Sequence, residues 1–221
     1  MRFLRCVHAE FLLVVPRLTR TRLGMTLLVL GTTLVWLSAR GFDALTVTLQ
    51  AGALGAILGA TAIVGDETDR AALTTALTHS TTPLAIATGR WLAIVVPASG
   101  LVIVCAAAIG SPANAVVVGV IATAAVGGCA LAVVLPLGRG AALALFLFMA
   151  VAGTIAPERL VDLARPGVVR LTAASAMELG PALWHYRDIA TGDMGAVLHA
   201  LAWTGLGILL TSEVIRRCRA R

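Results

Sequence analysis

The stretch Gly65–Trp91 reads GDETDRAALTTALTHSTTPLAIATGRW and is the longest polar interval in the first two-thirds of the chain. Apolar runs flank it on both sides. Within it, Leu73, Ala76 and Leu77 recur on one face at helical spacing. The stretch therefore predicts a short helix held between two membrane helices, in a position where a soluble partner could push on it.

The end of this stretch carries a signal for the start of a helix. Thr82 is a residue type that caps helix N-termini, and Pro83 follows at the first helical position, where proline is favoured. We therefore expect one membrane helix to end near Gly65 and a second to begin at Pro83.

The composition excludes an ordinary soluble domain. The 221 residues are 59% hydrophobic and 13% charged, whereas soluble domains carry about 25% charged residues. The net charge is +6, and all 17 basic residues are arginine, which we relate to a GC-rich genome. Because the arginines lie beside apolar runs, they indicate membrane orientation and not nucleic-acid binding. The four cysteines have no metal-binding spacing, so we expect them to be reduced and structural.

Six apolar segments approach the length of about 20 residues, with about 17 as the lower limit, that a membrane-spanning helix needs. A turn at Ser111–Asn114 divides the long charge-free run, and Arg139 with Gly140 is predicted to form another turn. The sequence thus predicts an all-α polytopic membrane protein with a single transmembrane domain, 1–221. The predicted spans are 23–39, 44–65, 84–110, 114–136, 141–157 and 194–212.

Residues 1–22 predict an interfacial helix that lies in the lipid headgroups without crossing the membrane. Phe3, Val7 and Phe11 share one face at helical spacing, and Arg2 and Arg5 lie opposite. We expect the proline at position 16 to kink or end this helix.

Residues 158–193 separate the last two predicted spans and contain charges and helix breakers. A structureless loop of this length is uncommon. We therefore expect an external insert with two or three short helices, at roughly 158–164, 168–178 and 182–190.

The distribution of arginine predicts the orientation, because cytoplasmic loops are enriched in basic residues. With an inner N-terminus and six spans, twelve arginines face the cytoplasm and five face the exterior. The segment 66–90 is then cytoplasmic, and the insert 158–193 is external. We expect a multi-pass protein of the bacterial inner (cytoplasmic) membrane with both termini in the cytoplasm.

The sequence offers no catalytic or metal-binding constellation. GxxxxGK[ST], GxSxG, HExxH and CxxC are all absent, and a chain without lysine has no Walker lysine. No carboxylate lies well inside a predicted span, which disfavours an ion-coupled carrier. Gln50, Thr61 and Thr154 are polar groups at membrane depth. They either form hydrogen bonds between helices or line a transport pathway.

The order of these pieces resembles the membrane-spanning permease subunit of type-2 ABC transporters, of the exporter class. The resemblance covers the whole chain: interfacial helix, two spans, charged cytoplasmic segment, four more spans, and an external insert before the last. The residues of the charged segment that match the family pattern are Glu67, Asp69, Arg70, Leu73, Leu77, Pro83, Gly89 and Arg90. Ala71–Ala72 replaces the family's usual Gly-Thr, and a Thr/Ser-rich stretch, 78–82, replaces its Leu-rich approach to the proline.

The resemblance implies partners and a division of labour. Two permease subunits pair as a homo- or heterodimer, and each binds a separate cytoplasmic ATPase that holds ATP and Mg²⁺, so this chain carries no cofactor and is not itself an enzyme. The short helix at about 68–80 would contact the ATPase. Its expected coupling residues are Asp66, Glu67, Asp69, Arg70, Leu73 and Leu77. The alternative for the acidic residues is that they cap this helix and end the second span.

The cargo and two other classes of protein stay open. A pathway lined by small apolar residues suits an amphipathic or lipid-like cargo such as a drug, lipid or peptide. A narrower alternative is the haem-exporting membrane subunit of cytochrome c maturation, since a basic-Gly turn precedes the fifth span. The alternatives of other classes are a non-transporting membrane scaffold or assembly protein, and a secondary carrier or intramembrane enzyme.

Overall fold

The structure, a computed structural model, describes residues 2–20, 22–67, 82–152, 167 and 180–219, and most of these residues are helical. No strand occurs in these residues. The helices are α1 Arg2–Arg20, α2 Leu23–Ser38, α3 Ala44–Glu67, α4 Pro83–Ile109, α5 Ala113–Leu137, α6 Arg139–Ala152, α7 Leu183–Tyr186 and α8 Met194–Arg219, with a 3-10 helix at Arg187–Thr191.

Four of these helices are long and apolar enough to cross a membrane: Ala44–Ile63, Pro83–Ile109, Ala113–Leu137 and Met194–Cys218. Two shorter apolar helices, Leu23–Ser38 and Gly140–Ala150, accompany them. The chain is therefore an all-helical protein with four candidate membrane spans among its described residues. The six-span arrangement, with α2 and α6 also crossing, stays a prediction.

The helix boundaries follow from local chemistry. The Thr82 hydroxyl accepts a hydrogen bond from the backbone N–H of Ala85 at 3.3 Å, with Pro83 at the first helical position, so the predicted cap is confirmed. At the other end of α4, Gly110 adopts a left-handed conformation (φ 65°) that ends the helix. A break lies where the turn at Ser111–Asn114 is predicted, but it is shorter, since only Gly110, Ser111 and Pro112 separate the two helices and α5 begins at Ala113.

Two predicted breaks differ from the structure. The turn before α6 lies at Gly138 (φ 77°), and Arg139 is already helical, so the turn predicted at Arg139 and Gly140 was placed too late. Only glycine adopts this positive φ without strain. Helix α1 does not end at Pro16 but continues to Arg20. Of the two outcomes predicted for this proline, the end of the helix is wrong and the kink stays a prediction.

Helices α3 and α5 form the centre of the bundle, and their mutual contact is the most extensive. Helices α4 and α6 also pack on α3, whereas α8 packs on α5. Small residues permit these close approaches. A Cβ on Gly52 would lie 2.5 Å from the Gly119 carbonyl oxygen and would overlap the Thr123 hydroxyl. A Cβ on Gly207 of α8 would overlap the backbone of Gly128 in α5.

Only the last part of the predicted insert is described. Helix α7 and the 3-10 helix confirm the short helical segment predicted at 182–190 and contact α5 and α8. Tyr186 is fully buried within the main apolar core. The helices predicted at 158–164 and 168–178 lie outside the described residues.

Candidate functional site

The predicted interfacial helix α1 lies across the N-terminal part of α4. Val7 and Val14 are buried, and Phe11 packs against the same core. Phe3, on the same predicted face, remains 41% exposed, and Arg5 is exposed. The face that carries the valines therefore binds protein, while other apolar residues of α1 stay uncovered, namely Leu4, Leu12 and Leu13. The Arg2 side chain lies outside what is described.

An ion pair fastens α1 to α4. Arg90 Nε donates to Glu10 Oε1 at 3.1 Å, and the two side chains are only 3% and 14% exposed. Gly89, the preceding residue, allows the close approach: a Cβ there would lie 2.7 Å from Glu10 Cβ and 3.0 Å from the Val7 carbonyl oxygen. Gly89 and Arg90, near the start of the third predicted span, thus form the surface on which α1 packs.

The expected coupling residues precede Gly89 and Arg90 in the sequence. The backbone of Asp66 and Glu67 forms the end of α3, while Asp69, Arg70, Leu73 and Leu77 lie in 68–81, outside the described residues. The chain leaves α3 at Glu67 and re-enters a helix at Pro83, seven residues before Arg90. The segment 68–81 therefore connects directly to the helix that carries α1.

A second polar cluster joins the end of the insert to the opposite end of α3. Arg187 Nη2 donates to Asp43 Oδ2 at 2.6 Å, and Arg187 Nη1 donates to the Thr46 hydroxyl at 2.8 Å. The Thr46 backbone N–H donates to Asp43 Oδ1 at 2.5 Å, so Asp43 caps α3. Partial burial raises the pKa of Asp43, but the hydrogen bonds from Thr46 and Arg187 outweigh it, so this pKa lies below its ordinary value.

Rings from α7 and α8 pack together near this cluster. The centroid of His199 lies 5.7 Å from those of both His185 and Tyr186, and 6.2 Å from that of Trp203. Trp203 Nε1 donates to His199 Nε2 at 3.0 Å, which requires this nitrogen to be unprotonated. The contacts hold α7 against the first turns of α8.

The three predicted pathway residues have different surroundings. Gln50 is buried, and its amide nitrogen donates to the carbonyl oxygens of Met149 and Ala150 at 3.2 and 3.4 Å, thereby joining α3 to α6. Thr61 donates to the Ile57 carbonyl of its own helix at 2.7 Å. Thr154 lies outside the described residues. Contact of these residues with cargo stays a prediction.

The sequence analysis did not identify Glu10 as a site residue, nor the contacts of Arg187 with Asp43 and Thr46. Glu10 is the first acidic residue of the chain and shares the helical face of Val7 and Val14, so a charge on a buried face was a readable signal. The Asp43–Arg187 pair had no such signal, because 144 positions separate its members.

Comparison of the chain with protein-family models, with curated proteins and with solved structures finds no match in any of the three. The function is therefore inferred from the residues and the geometry of the chain.

Proposed function

We propose that the chain is the permease subunit of an ATP-driven exporter of the type-2 ABC class, moving an amphipathic or lipid-like cargo. A separate ATPase subunit would supply the energy through the cytoplasmic segment 66–90. The observation that carries the proposal is the buried Glu10–Arg90 pair, which makes α1 and α4 one mechanical unit directly after the segment 68–81.

A permease that has no ATPase activity of its own needs a contact surface for the ATPase subunit. It also needs a rigid group of helices that moves when this surface is displaced. Helix α4 begins at Pro83 and packs on α3, α5 and α8, so a displacement of its N-terminus is passed to much of the bundle. Helix α1 moves with it, since breaking a buried ion pair is costly. A push on 68–81 would thus reorient several helices together.

Nucleotide binding would drive the movement by linkage. The ATPase must bind ATP more tightly in one conformation of the permease than in the other, and the permease then favours that conformation by the same factor. Asp66, Glu67, Asp69 and Arg70 would provide the polar contacts to the ATPase, and Leu73 and Leu77 its apolar contacts. A second permease subunit and membrane lipid would enclose the pathway.

The composition of the described helices supports an apolar cargo. Alanine, glycine, valine and leucine make up most of α3 and α5, and buried charges are rare among the described residues of the bundle. Such walls offer few hydrogen bonds to an ionic solute, whereas an amphipathic molecule could keep its polar end near the membrane surface.

The proposal is tested by co-purification. The tagged chain is extracted from its native membranes in mild detergent, and bound proteins are identified by mass spectrometry. We expect a Walker-motif ATPase in stoichiometric amount, and its loss in the double variant Glu67→Ala with Arg70→Ala. Arg40→Ala, an exposed arginine on the predicted outer side, is the matched control. Absence of an ATPase, or equal recovery with the double variant, would overturn the proposal and favour a membrane scaffold.

A further inference from the structure

We propose that His185, Asp188 and Asp193 form a binding site for a divalent transition-metal ion, with Zn²⁺ as the best match to their chemistry. The inference is independent of the transport proposal, because it concerns only the segment between α7 and α8. One ligand atom from each of the three side chains lies within 4.8 Å of the other two.

The backbone brings the three residues together. His185 lies in α7, Asp188 one turn later in the 3-10 helix, and Asp193 immediately before α8. Gly192 has a φ of 91°, a conformation that favours glycine, and it turns the chain so that the Asp193 N–H donates to the Asp188 carbonyl at 3.1 Å. The convergence of the side chains is therefore built into the fold of the segment.

The side chains are arranged for a shared ligand. His185 Nδ1 lies 3.7 Å from Asp188 Oδ2, and the two side chains are 31% and 56% exposed, so an ion has access from solvent. Asp193 Oδ1 accepts from the Gly195 N–H at 2.8 Å, which fixes that carboxylate at the start of α8 while its second oxygen stays available.

The imidazole is oriented by its neighbours on two sides. The His185 ring centroid lies 5.4 Å from that of Trp184 and 5.7 Å from that of His199. Arg187, the cation between His185 and Asp188, donates instead to Asp43 and Thr46 on α3. The Arg187 guanidinium therefore points toward α3 and pairs with the Asp43 carboxylate, not with Asp188.

The donor set and geometry select the class of metal. One imidazole nitrogen and two carboxylate oxygens are ligands that Zn²⁺ binds at about 2.0–2.2 Å, with water in a fourth position. Tetrahedral coordination at such distances separates ligand atoms by roughly 3.4 Å. The ligand atoms, which lie within 4.8 Å of one another, therefore need to approach by up to about 1.4 Å. Rotation of the partly exposed side chains can supply this movement. Calcium would prefer more oxygen ligands and no imidazole.

Binding is tested on the purified full chain in detergent, with a tag that contains no histidine. The chain carries Cys6→Ser and Cys218→Ser, because these accessible thiols could bind zinc themselves. Competition with a chromophoric zinc chelator measures the affinity, and Co²⁺ in place of Zn²⁺ reports coordination by its visible absorption. We expect one Zn²⁺ per chain and the intense absorption of a four-coordinate cobalt site.

Variants decide whether these three residues are the ligands. His185→Ala, Asp188→Asn and Asp193→Asn should each weaken Zn²⁺ binding by about tenfold or more and change the cobalt spectrum. The control His8→Ala, an exposed histidine on α1, should leave both unchanged. Because Asp193 caps α8, Asp188→Asn provides the decisive result if Asp193→Asn fails to fold. No stoichiometric binding, or binding that survives both His185→Ala and Asp188→Asn, would overturn the proposal.

Discussion

Arg90 and Glu10 meet at 3.1 Å, although 80 positions separate them in the sequence, and both side chains are largely withdrawn from solvent. The pair converts α1 from a helix that only lies on a surface into one fixed to α4. Arg90 lies near the start of α4, which begins at Pro83, so the pair fixes α1 to the N-terminal part of that helix.

Removal of either partner should destabilise the protein, because it breaks the Arg90–Glu10 ion pair at a largely buried contact. We expect Glu10→Ala or Arg90→Ala to lower the free energy of unfolding by about 3 kcal/mol. The double variant should lose much less than the sum of the two single variants. Reversible unfolding in mixed micelles gives the free energy of unfolding of wild type, the two single variants and the double variant. Strictly additive losses of this free energy would show that Glu10 and Arg90 are not coupled.

The contact between α5 and α8 should be intolerant of a single methyl group. A Cβ on Gly207 would overlap the Gly128 backbone, which cannot move aside without displacing its helix. Gly207→Ala should therefore cost about 1–3 kcal/mol or more. Gly205→Ala is the matched control on the same helix, since a Cβ there meets nothing within 4 Å. Thermal unfolding in detergent compares the two variants, and equal midpoints would contradict the tight crossing.

Gln50 should tolerate an apolar substitution better than an acidic one. Its amide nitrogen donates to two carbonyl oxygens of α6, so Gln50→Leu loses those hydrogen bonds at a cost of about 1–3 kcal/mol. Gln50→Glu is expected to be worse, because a carboxylate would face two carbonyl oxygens and would have to be buried as a charge or protonated. Expression yield and unfolding in micelles rank the variants, and a more stable Gln50→Glu would reverse this assignment.

The stability that the Asp43–Arg187 ion pair contributes should depend on pH in a known direction. The pKa of Asp43 lies below its ordinary value of 3.8 in the folded protein. The stability from its charge is therefore complete above that ordinary value and is lost as pH falls through the lowered folded pKa. Unfolding midpoints from pH 6 down to about 2, with EDTA present, should show a loss in wild type that Asp43→Asn lacks. If the midpoints of wild type and Asp43→Asn fell equally with pH, the lowered pKa of Asp43 would be contradicted.

Most helix boundaries were readable from the sequence because local chemistry sets them. Thr82–Pro83 marks the start of α4 through a cap and a fixed φ, and Pro112 marks the turn before α5. The contacts between helices were not readable to the same degree. Gly55 and Gly59 have the small-xxx-small spacing that is typical of close helix packing, and a Cβ on Gly55 would lie 3.3 Å from the Ala98 Cβ. The tighter crossing at Gly52 depends on which helix faces it, and periodicity does not encode that.

The same distinction between local features and contacts between helices applies to the candidate site. The sequence indicates the charged segment between the spans as a group of residues, but it does not indicate the Glu10–Arg90 contact that joins α1 to α4. The position of Glu10 on the face of Val7 and Val14 is visible in the sequence, but its partner Arg90 is visible only in the structure. Likewise, His185, Asp188 and Asp193 follow no metal-binding spacing, because a left-handed glycine brings the third residue to the first two.

The predicted orientation can be tested with single cysteines placed on the two sides of the membrane. In a chain whose four native cysteines are replaced by serine, Thr75→Cys lies in the charged segment and Thr191→Cys at the exposed end of the 3-10 helix. A maleimide that does not cross membranes should label Thr191→Cys in intact cells. It should label Thr75→Cys only after the membrane is opened, because the twelve-to-five distribution of arginine places that segment inside. Labelling of Thr75→Cys in intact cells would put the segment beyond the reach of a cytoplasmic ATPase, and the proposed transport mechanism would fail with it.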